Sequence, residues 1–265
     1  MNHNNLKVGF YQFRPSFGQI EKNLEKLLNA LSDVESDLVV LPELPFTGYL
    51  FESREELNQL SQEANNSIII NSLTELCNNN DFFIVTGFAE KDKNKLYNSS
   101  LLIGPDGLIH TYRKIHLFNQ EKYWFDPGDK ELSVQEVRGV KIGMMICWDW
   151  IYPEVARKLS VLGADIICHP ANLVLPYCQY TMVSRSMENN VFIITANRFG
   201  ADKRPCGNLK FTGQSQITGP KGKILYKAKP SKKDLAIVEI DINESRNKSM
   251  TSTNDLIKDR RPEFY

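Results

Sequence analysis

Three segments of this 265-residue chain carry chemically capable side chains at the ends of apolar, strand-like runs. Cys147 follows Val140–Ile146 and precedes a helix-like run opening at Tyr152-Pro153-Glu154. A thiol facing a helix N-terminus meets partial positive charge, which favours the thiolate. Glu43 ends the run Leu38-Val39-Val40-Leu41-Pro42-Glu43, where an open α/β sheet keeps its chemistry, beyond the carboxyl end of a strand. Lys114 ends a third run in Tyr112-Arg113-Lys114. Singly, each has an ordinary explanation: a packed cysteine, a solvated glutamate, a wet basic surface. Together they are a base, a cation and a nucleophile, the parts needed to take a thiol proton and hold a developing oxyanion.

The elements that would position them alternate. Lys7–Phe13 reads as a strand, and Ile20–Leu31 as an amphipathic helix with Leu24, Leu27, Leu28 and Leu31 on one face. Residues 37–41 read as strand, 68–77 as helix and 82–90 as strand. Strands at 96–103 and 108–114 are joined by Gly104-Pro105-Asp106-Gly107, a turn signal. Beyond Cys147, residues 185–190 read as helix and 192–196 as strand. A hairpin over 213–229 turns at Gly219-Pro220-Lys221-Gly222, and 234–240 is a last strand. Lys7-Val8-Gly9-Phe10-Tyr11 resembles Lys141-Ile142-Gly143-Met144-Met145, and Asp37-Leu38-Val39-Val40-Leu41-Pro42 resembles Asp165-Ile166-Ile167-Cys168-His169-Pro170. Each half is thus strand, helix and a buried strand ending at proline. Runs such as Leu-Val-Val-Leu, which lack alternation, suit parallel strands covered on both faces. Two such sheets packed face to face, with helices outside, bury every apolar face.

Bulk properties narrow the function. The chain suffices for one large domain over residues 1–265, and no linker divides it. Lys plus Arg (32) balance Asp plus Glu (32), and no basic stripe points to nucleic acid. No apolar run is long enough to span a bilayer, and the start Met-Asn-His-Asn-Asn lacks a secretory apolar core. Five cysteines (Cys77, Cys147, Cys168, Cys178, Cys206) have neither paired nor metal-ligand spacing. The expectation is a reduced, cytoplasmic protein with no metal, no membrane partner and no nucleic-acid partner.

Leu41-Pro42-Glu43-Leu44 with Thr47-Gly48-Tyr49, Tyr112–Leu117, Asp126-Pro127-Gly128-Asp129, and Ile146-Cys147-Trp148-Asp149 with Tyr152-Pro153-Glu154 resemble the nitrilase superfamily of carbon–nitrogen hydrolases. The resemblance runs from about Lys7 to the Asp-Arg-Arg-Pro-Glu tail, with all three motifs in the family's order. It implies a four-layer α-β-β-α sandwich and a catalytic triad of Glu43, Lys114 and Cys147. A second family glutamate maps to Glu121. In the implied mechanism Glu43 takes the Cys147 proton, and Lys114 and the Trp148 N–H hold the oxyanion. Glu121 orients the substrate or shares the base role, and no cofactor is required. Trp148 and Tyr49, with Trp124 and Trp150, would wall a small substrate, or else serve core or dimer contacts. Asn172 could offer its amide to the substrate, and His116 lies close enough in sequence to reach it. A direct base role for His116 or His169 is the lesser alternative, because Glu43 already fills it.

The substrate implied is a small carboxamide or N-carbamoyl compound, since Cys-Trp-Asp with Tyr-Pro-Glu resembles the amidase and carbamoyl-hydrolase branches. A nitrile, passing through a thioimidate, is the alternative. The resemblance further implies a homodimer or larger homo-oligomer, with the tail (about 242–265) in the contacts. A binding protein with a vestigial triad and a redox thiol protein are the readings from other classes.

Overall fold

A computed structural model of the protein describes residues 5–264; the first four residues, part of the polar start, and Tyr265, the last residue of the tail, lie outside the described residues. The first half comprises β1 (Asn5–Gln12), α1 (Ile20–Leu31), β2 (Leu38–Val40), α2 (Arg54–Leu60), α3 (Ile68–Asn80), β3 (Phe83–Asp92), β4 (Lys95–Gly104) and β5 (Gly107–Arg113). A single turn, α4 (Glu121–Trp124), leads to β6 (Val134–Val137), β7 (Val140–Met144) and a 3₁₀ turn over Cys147–Ile151. The second half continues through α5 (Pro153–Val161), β8 (Ile166–Ala171), α6 (Cys178–Asn189) and β9 (Phe192–Asn197). A hairpin of β10 (Phe199–Arg204) and β11 (Gly207–Thr212) stands apart from both main sheets. Then come β12 (Gln216–Thr218), β13 (Ile224–Lys227), β14 (Asp234–Asp241) and the short α7 (Asn243–Arg246).

Two six-stranded sheets result, ordered β14-β1-β2-β3-β4-β5 and β13-β12-β9-β8-β7-β6. Within each, three central strands run parallel and the outer pairings are antiparallel. Alternation along the strands feeds two cores. Val8, Phe10, Leu38, Val40 and Val85 point between the sheets, whereas Val39, Leu41 and Ile84 pack under α1 and α3 with Leu24, Leu27, Leu31 and Leu73. Both sides of β2 are therefore dry, which is why Leu-Val-Val-Leu carries no alternation. The architecture is the α-β-β-α sandwich expected from the sequence.

The internal repeat is structural. The Asp37 carboxylate accepts the Lys7 N–H at 2.7 Å, and the Asp165 carboxylate accepts the Lys141 N–H at 2.9 Å. In return the N–H of Asp37 donates to Lys7 and that of Asp165 to Lys141 (2.7 and 2.8 Å). The carbonyls of the same two aspartates cap β3 and β9 by accepting from Phe83 and Phe192. One aspartate thus sets the register of three parallel strands in each half.

The sequence reading placed α1, the hairpin at Gly104–Gly107 and the last strand, but left α2, β6, the β10–β11 ribbon and the single turns α4 and α7 unassigned. α2 buries only Leu57, so its period is faint, although Ser53 caps it by accepting the Glu56 N–H. The β10–β11 ribbon is rich in lysine and arginine, with no apolar stripe. β6 is a four-residue edge strand. α6 begins well before Arg185, because Gln179 and Ser186 occupy buried positions and hide its apolar period.

Candidate active site

The C-terminal ends of β2, β5 and β7 meet at one edge of the sandwich, and each delivers one of the residues singled out by sequence. Beyond β2 the chain turns sharply, with Leu44 at φ 47°, and passes Gly87 so closely that a Cβ there would sit 2.4 Å from the Leu44 nitrogen and 2.6 Å from the Glu43 Cα. Gly87 is required by that approach. Lys114 leaves β5 beside Gly128, whose N–H donates to the Lys114 carbonyl at 2.8 Å. A Cβ at Gly128 would lie 2.2 Å from the Arg113 carbonyl oxygen. The rest of the Asp-Pro-Gly-Asp motif is tied in as well. Asp126 accepts from Arg54 and the Leu96 N–H, and Asp129 accepts from Tyr97 and Arg113. Arg113 also binds buried Glu90, so the strand end carrying Lys114 is anchored from several sides.

The Lys114 ammonium donates to Glu43 Oε1 at 2.7 Å and lies within 2.9 Å of both Glu121 oxygens. All three side chains are buried. Asn98 donates to the same Glu43 oxygen at 2.7 Å, and Tyr49 donates to Glu121 at 2.6 Å. The Phe118 N–H donates to the other Glu121 oxygen, which places Glu121 at the start of α4. Glu43 Oε2, also buried, has no partner among the described residues. An ammonium has three donors and the two carboxylates occupy two of them, leaving one for a ligand.

Charge is unbalanced by design. Two carboxylates share one cation, so an ionised trio is net negative in a dry site. Burial raises the Glu43 pKa above the ordinary carboxylate range against the pull of Lys114, and Glu121 adds to the rise. Burial opposes the charge on Lys114, but Glu121 and Glu43 outweigh it and keep the ammonium protonated. Burial pushes the Cys147 thiol well up, Glu43 pushes it further, and Lys114 and the Asn172 N–H pull it back. The resting thiol this implies is the form from which Glu43 can take a proton, and burial outweighs any pull of a helix end on it. Cys147 begins a 3₁₀ turn, α5 starts only at Pro153, and desolvation beside carboxylates decides the resting state as a thiol.

Cys147 sits at φ 38°, in the left-handed region that costs a non-glycine residue ~1–3 kcal/mol. Its surroundings hold it there. Buried Asp149 accepts from the Ile146 N–H at 2.9 Å and the Tyr112 hydroxyl at 2.7 Å, and pairs with His116 Nδ1 at 2.8 Å. The His116 ring stacks on Tyr152 at 3.7 Å. His116 thereby pins the segment after Lys114 to the turn holding Cys147. His169, buried, reaches the Cys147 carbonyl at 3.0 Å, and its pKa is lowered to about 4 by burial. The partners of the two rings are Asp149 and Tyr152 for His116, and the Cys147 carbonyl and the Thr195 hydroxyl for His169. Asp149 is the residue sequence reasoning passed over, although its place inside the Cys-Trp-Asp motif was the available signal.

Two small cavities open here and share Phe118. One, of about 200 Å³, is lined by Tyr49, Phe118, Glu121, Trp124 and the β10–β11 turn at Cys206–Leu209. The other lies over Cys147 between Trp148, Trp150 and Asn172. Tyr49 lines the first cavity and Trp148 the second. The Asn172 amide nitrogen donates to the Glu43 carbonyl at 2.9 Å, while its Oδ1 is buried and without a partner among the described residues. Among the described residues no cluster of three His, Cys, Asp or Glu could hold a metal, and no helix is long and apolar enough to cross a membrane.

Comparison with known proteins bears on the family and the fold. The sequence model of the family described as carbon–nitrogen hydrolase matches residues 7–248. The chain is 43% identical to a protein of Pyrococcus abyssi named nitrilase, over 98% of this chain and 99% of that one. It is 31% identical to an (R)-stereoselective amidase of a Pseudomonas species, over 97% and 92%. Among solved structures it is similar to a carbon–nitrogen hydrolase from Helicobacter pylori G27, with a TM-score of 0.84 at 24% identity, covering 100% and 98% of the two chains.

Proposed function

The chain belongs to the carbon–nitrogen hydrolase family, and on that premise we propose that it releases ammonia from small carboxamides through a thioester on Cys147. Its class, a hydrolase of carbon–nitrogen bonds other than peptide bonds, follows from the family. The observation that carries the finer reading is the buried Glu43–Lys114–Glu121 cluster set against a strained, buried thiol.

Glu43 accepts the Cys147 proton as sulfur attacks the carbonyl carbon, so that thiolate and bond form together rather than in sequence. The electron pair moves to oxygen, where the free Lys114 donor and the Trp148 N–H stabilise it; one such donor is worth ~3–4 kcal/mol of barrier. Collapse expels ammonia, which takes the proton from Glu43. Water, giving a proton to Glu43, then attacks the thioester, and the acid leaves as Cys147 regains its hydrogen. Glu121, held by Tyr49 and Lys114, fixes the ammonium between the two carboxylates. The unpaired Asn172 Oδ1 would accept an N–H from the substrate, which a carboxamide or N-carbamoyl group has and a nitrile lacks.

A nitrile is the second reading, favoured by the similarity to the Pyrococcus abyssi nitrilase. We also place the protein in the cytoplasm, supported by five free thiols. Self-association is supported by Tyr177, Tyr180 and Met187, which stand exposed along α6. The test is ammonia release from a panel of carboxamides, N-carbamoyl compounds and nitriles, with Cys147→Ala as control. A higher kcat/KM for carboxamides supports the first reading, a higher value for nitriles the second. Turnover that survives in Cys147→Ala overturns both.

A further inference from the structure

Cys147 adopts a backbone conformation it would leave if unrestrained, and one side chain outside the triad meets its carbonyl directly. His169 Nε2 lies 3.0 Å from that carbonyl oxygen, and Nδ1 lies 3.1 Å from the Thr195 hydroxyl. His169 and Thr195 are wholly buried and are directly paired residues of β8 and β9. A carbonyl only accepts, so Nε2 carries the hydrogen. The neutral ring then has its lone pair at Nδ1, and the Thr195 hydroxyl donates to it. The direction of both bonds is thereby fixed.

The peptide joining Cys147 to Trp148 is planar, so its C=O and N–H point in opposite directions. A group that fixes the Cys147 carbonyl therefore also aims the Trp148 N–H. Trp148 is the second residue of its turn, so its N–H has no acceptor within the turn. We propose that His169, oriented by Thr195, is a positioning residue that holds the Cys147–Trp148 peptide so that thiol and oxyanion donor face the substrate together. The inference rests on the thioester reading above, and it adds a second side of support to the turn. Asp149 fixes the turn from its Ile146 and His116 side, and His169 fixes it from β8.

The test compares His169→Phe, which fills the space without a donor, with His169→Gln, whose amide can replace Nε2–H. Thr195→Val removes the hydroxyl that sets the tautomer. For each folded variant, kcat and KM are measured per titrated Cys147, together with the Kd of a small aldehyde that adds to the thiol and presents an oxyanion. In His169→Phe kcat should fall roughly 10²-fold with KM nearly unchanged, the loss expected for misplacing a reacting group by about 1 Å. Aldehyde binding should weaken in parallel, His169→Gln should recover most of both, and Thr195→Val should fall between. Should His169→Phe fail to fold, the Thr195→Val values still decide. Variants with wild-type kcat and aldehyde affinity but lower Tm would overturn the proposal, leaving His169 a packing residue. Wild-type protein that turns over nothing would instead sink the functional reading, while the aldehyde series would still report on His169.

Discussion

The two halves of the sandwich share a frame and divide the chemistry. In each, a helix connects a lysine-bearing strand to a parallel strand that follows an aspartate, locked by Asp37 in one and Asp165 in the other. At the exit of that frame the first half supplies charge: Glu43, Lys114 and, just beyond β5, Glu121. The second half supplies a neutral nucleophile on a strained turn, braced by Asp149, His169 and Asn172. Glu43 follows Pro42 in the first half, whereas Ala171 follows the matching Pro170 in the second. A duplicated scaffold therefore separates two jobs that conflict in one place. Carboxylates beside a thiol suppress its ionisation, and a cation must come between them.

Removing one half's contribution should break the division unequally. Cys147→Ala should lower turnover at least roughly 10³-fold and leave the melting profile near wild type, checked by ammonia release and circular dichroism. Lys114→Met should lower kcat ~10²–10³-fold, and it should also destabilise the fold, because two buried carboxylates lose their cation. A kinetic loss with no loss of Tm would show that the carboxylates simply take up a proton. Gly87→Ala should displace Glu43 and cost roughly tenfold in kcat, with Cys147 still open to alkylation.

Acidity distinguishes the halves further. Because the Glu43 pKa is raised, the acidic limb of kcat/KM should lie above the ordinary carboxylate range, as the base is lost when pH falls through that value. His169 acts on stability. Its native pKa of about 4 lies below the ordinary 6.5, so between these values the unfolded chain binds a proton that the native protein does not. Its contribution is complete above about pH 6.5 and is lost towards pH 4, up to ~3 kcal/mol. His169→Gln should flatten that part of the stability profile measured by urea unfolding. The smallest contrast concerns the shared lock. Asp165→Ala should cost about 1–2 kcal/mol more than Asp37→Ala, since Asp165 is more deeply buried and also holds Arg246 at 2.9 Å.

The frame was legible because parallel buried strands leave apolar runs and because both aspartate locks repeat in sequence. Glu43, Lys114 and Cys147 stood out since each ends such a run. The supports did not. Asn98 lies within β4, and Glu90 and Arg113 pair across strands, so nothing local marks their approach to the site. His116 and Asn172 were noticed, but their hydrogen bonds depend on chain segments far away in sequence. The forces on the thiol are equally non-local: helix proximity can be read in sequence, whereas the desolvation and the carboxylates that outweigh it are assembled by the fold.

The central claim is that charge from one half drives a covalent reaction at the thiol of the other. Rapid-quench intact-mass analysis during turnover of the best panel substrate tests it most directly. The account predicts an acyl group on Cys147 that forms and decays at rates matching ammonia release, and that neither forms nor decays at those rates in Lys114→Met. Ammonia released at full rate with Cys147 unmodified throughout would contradict it.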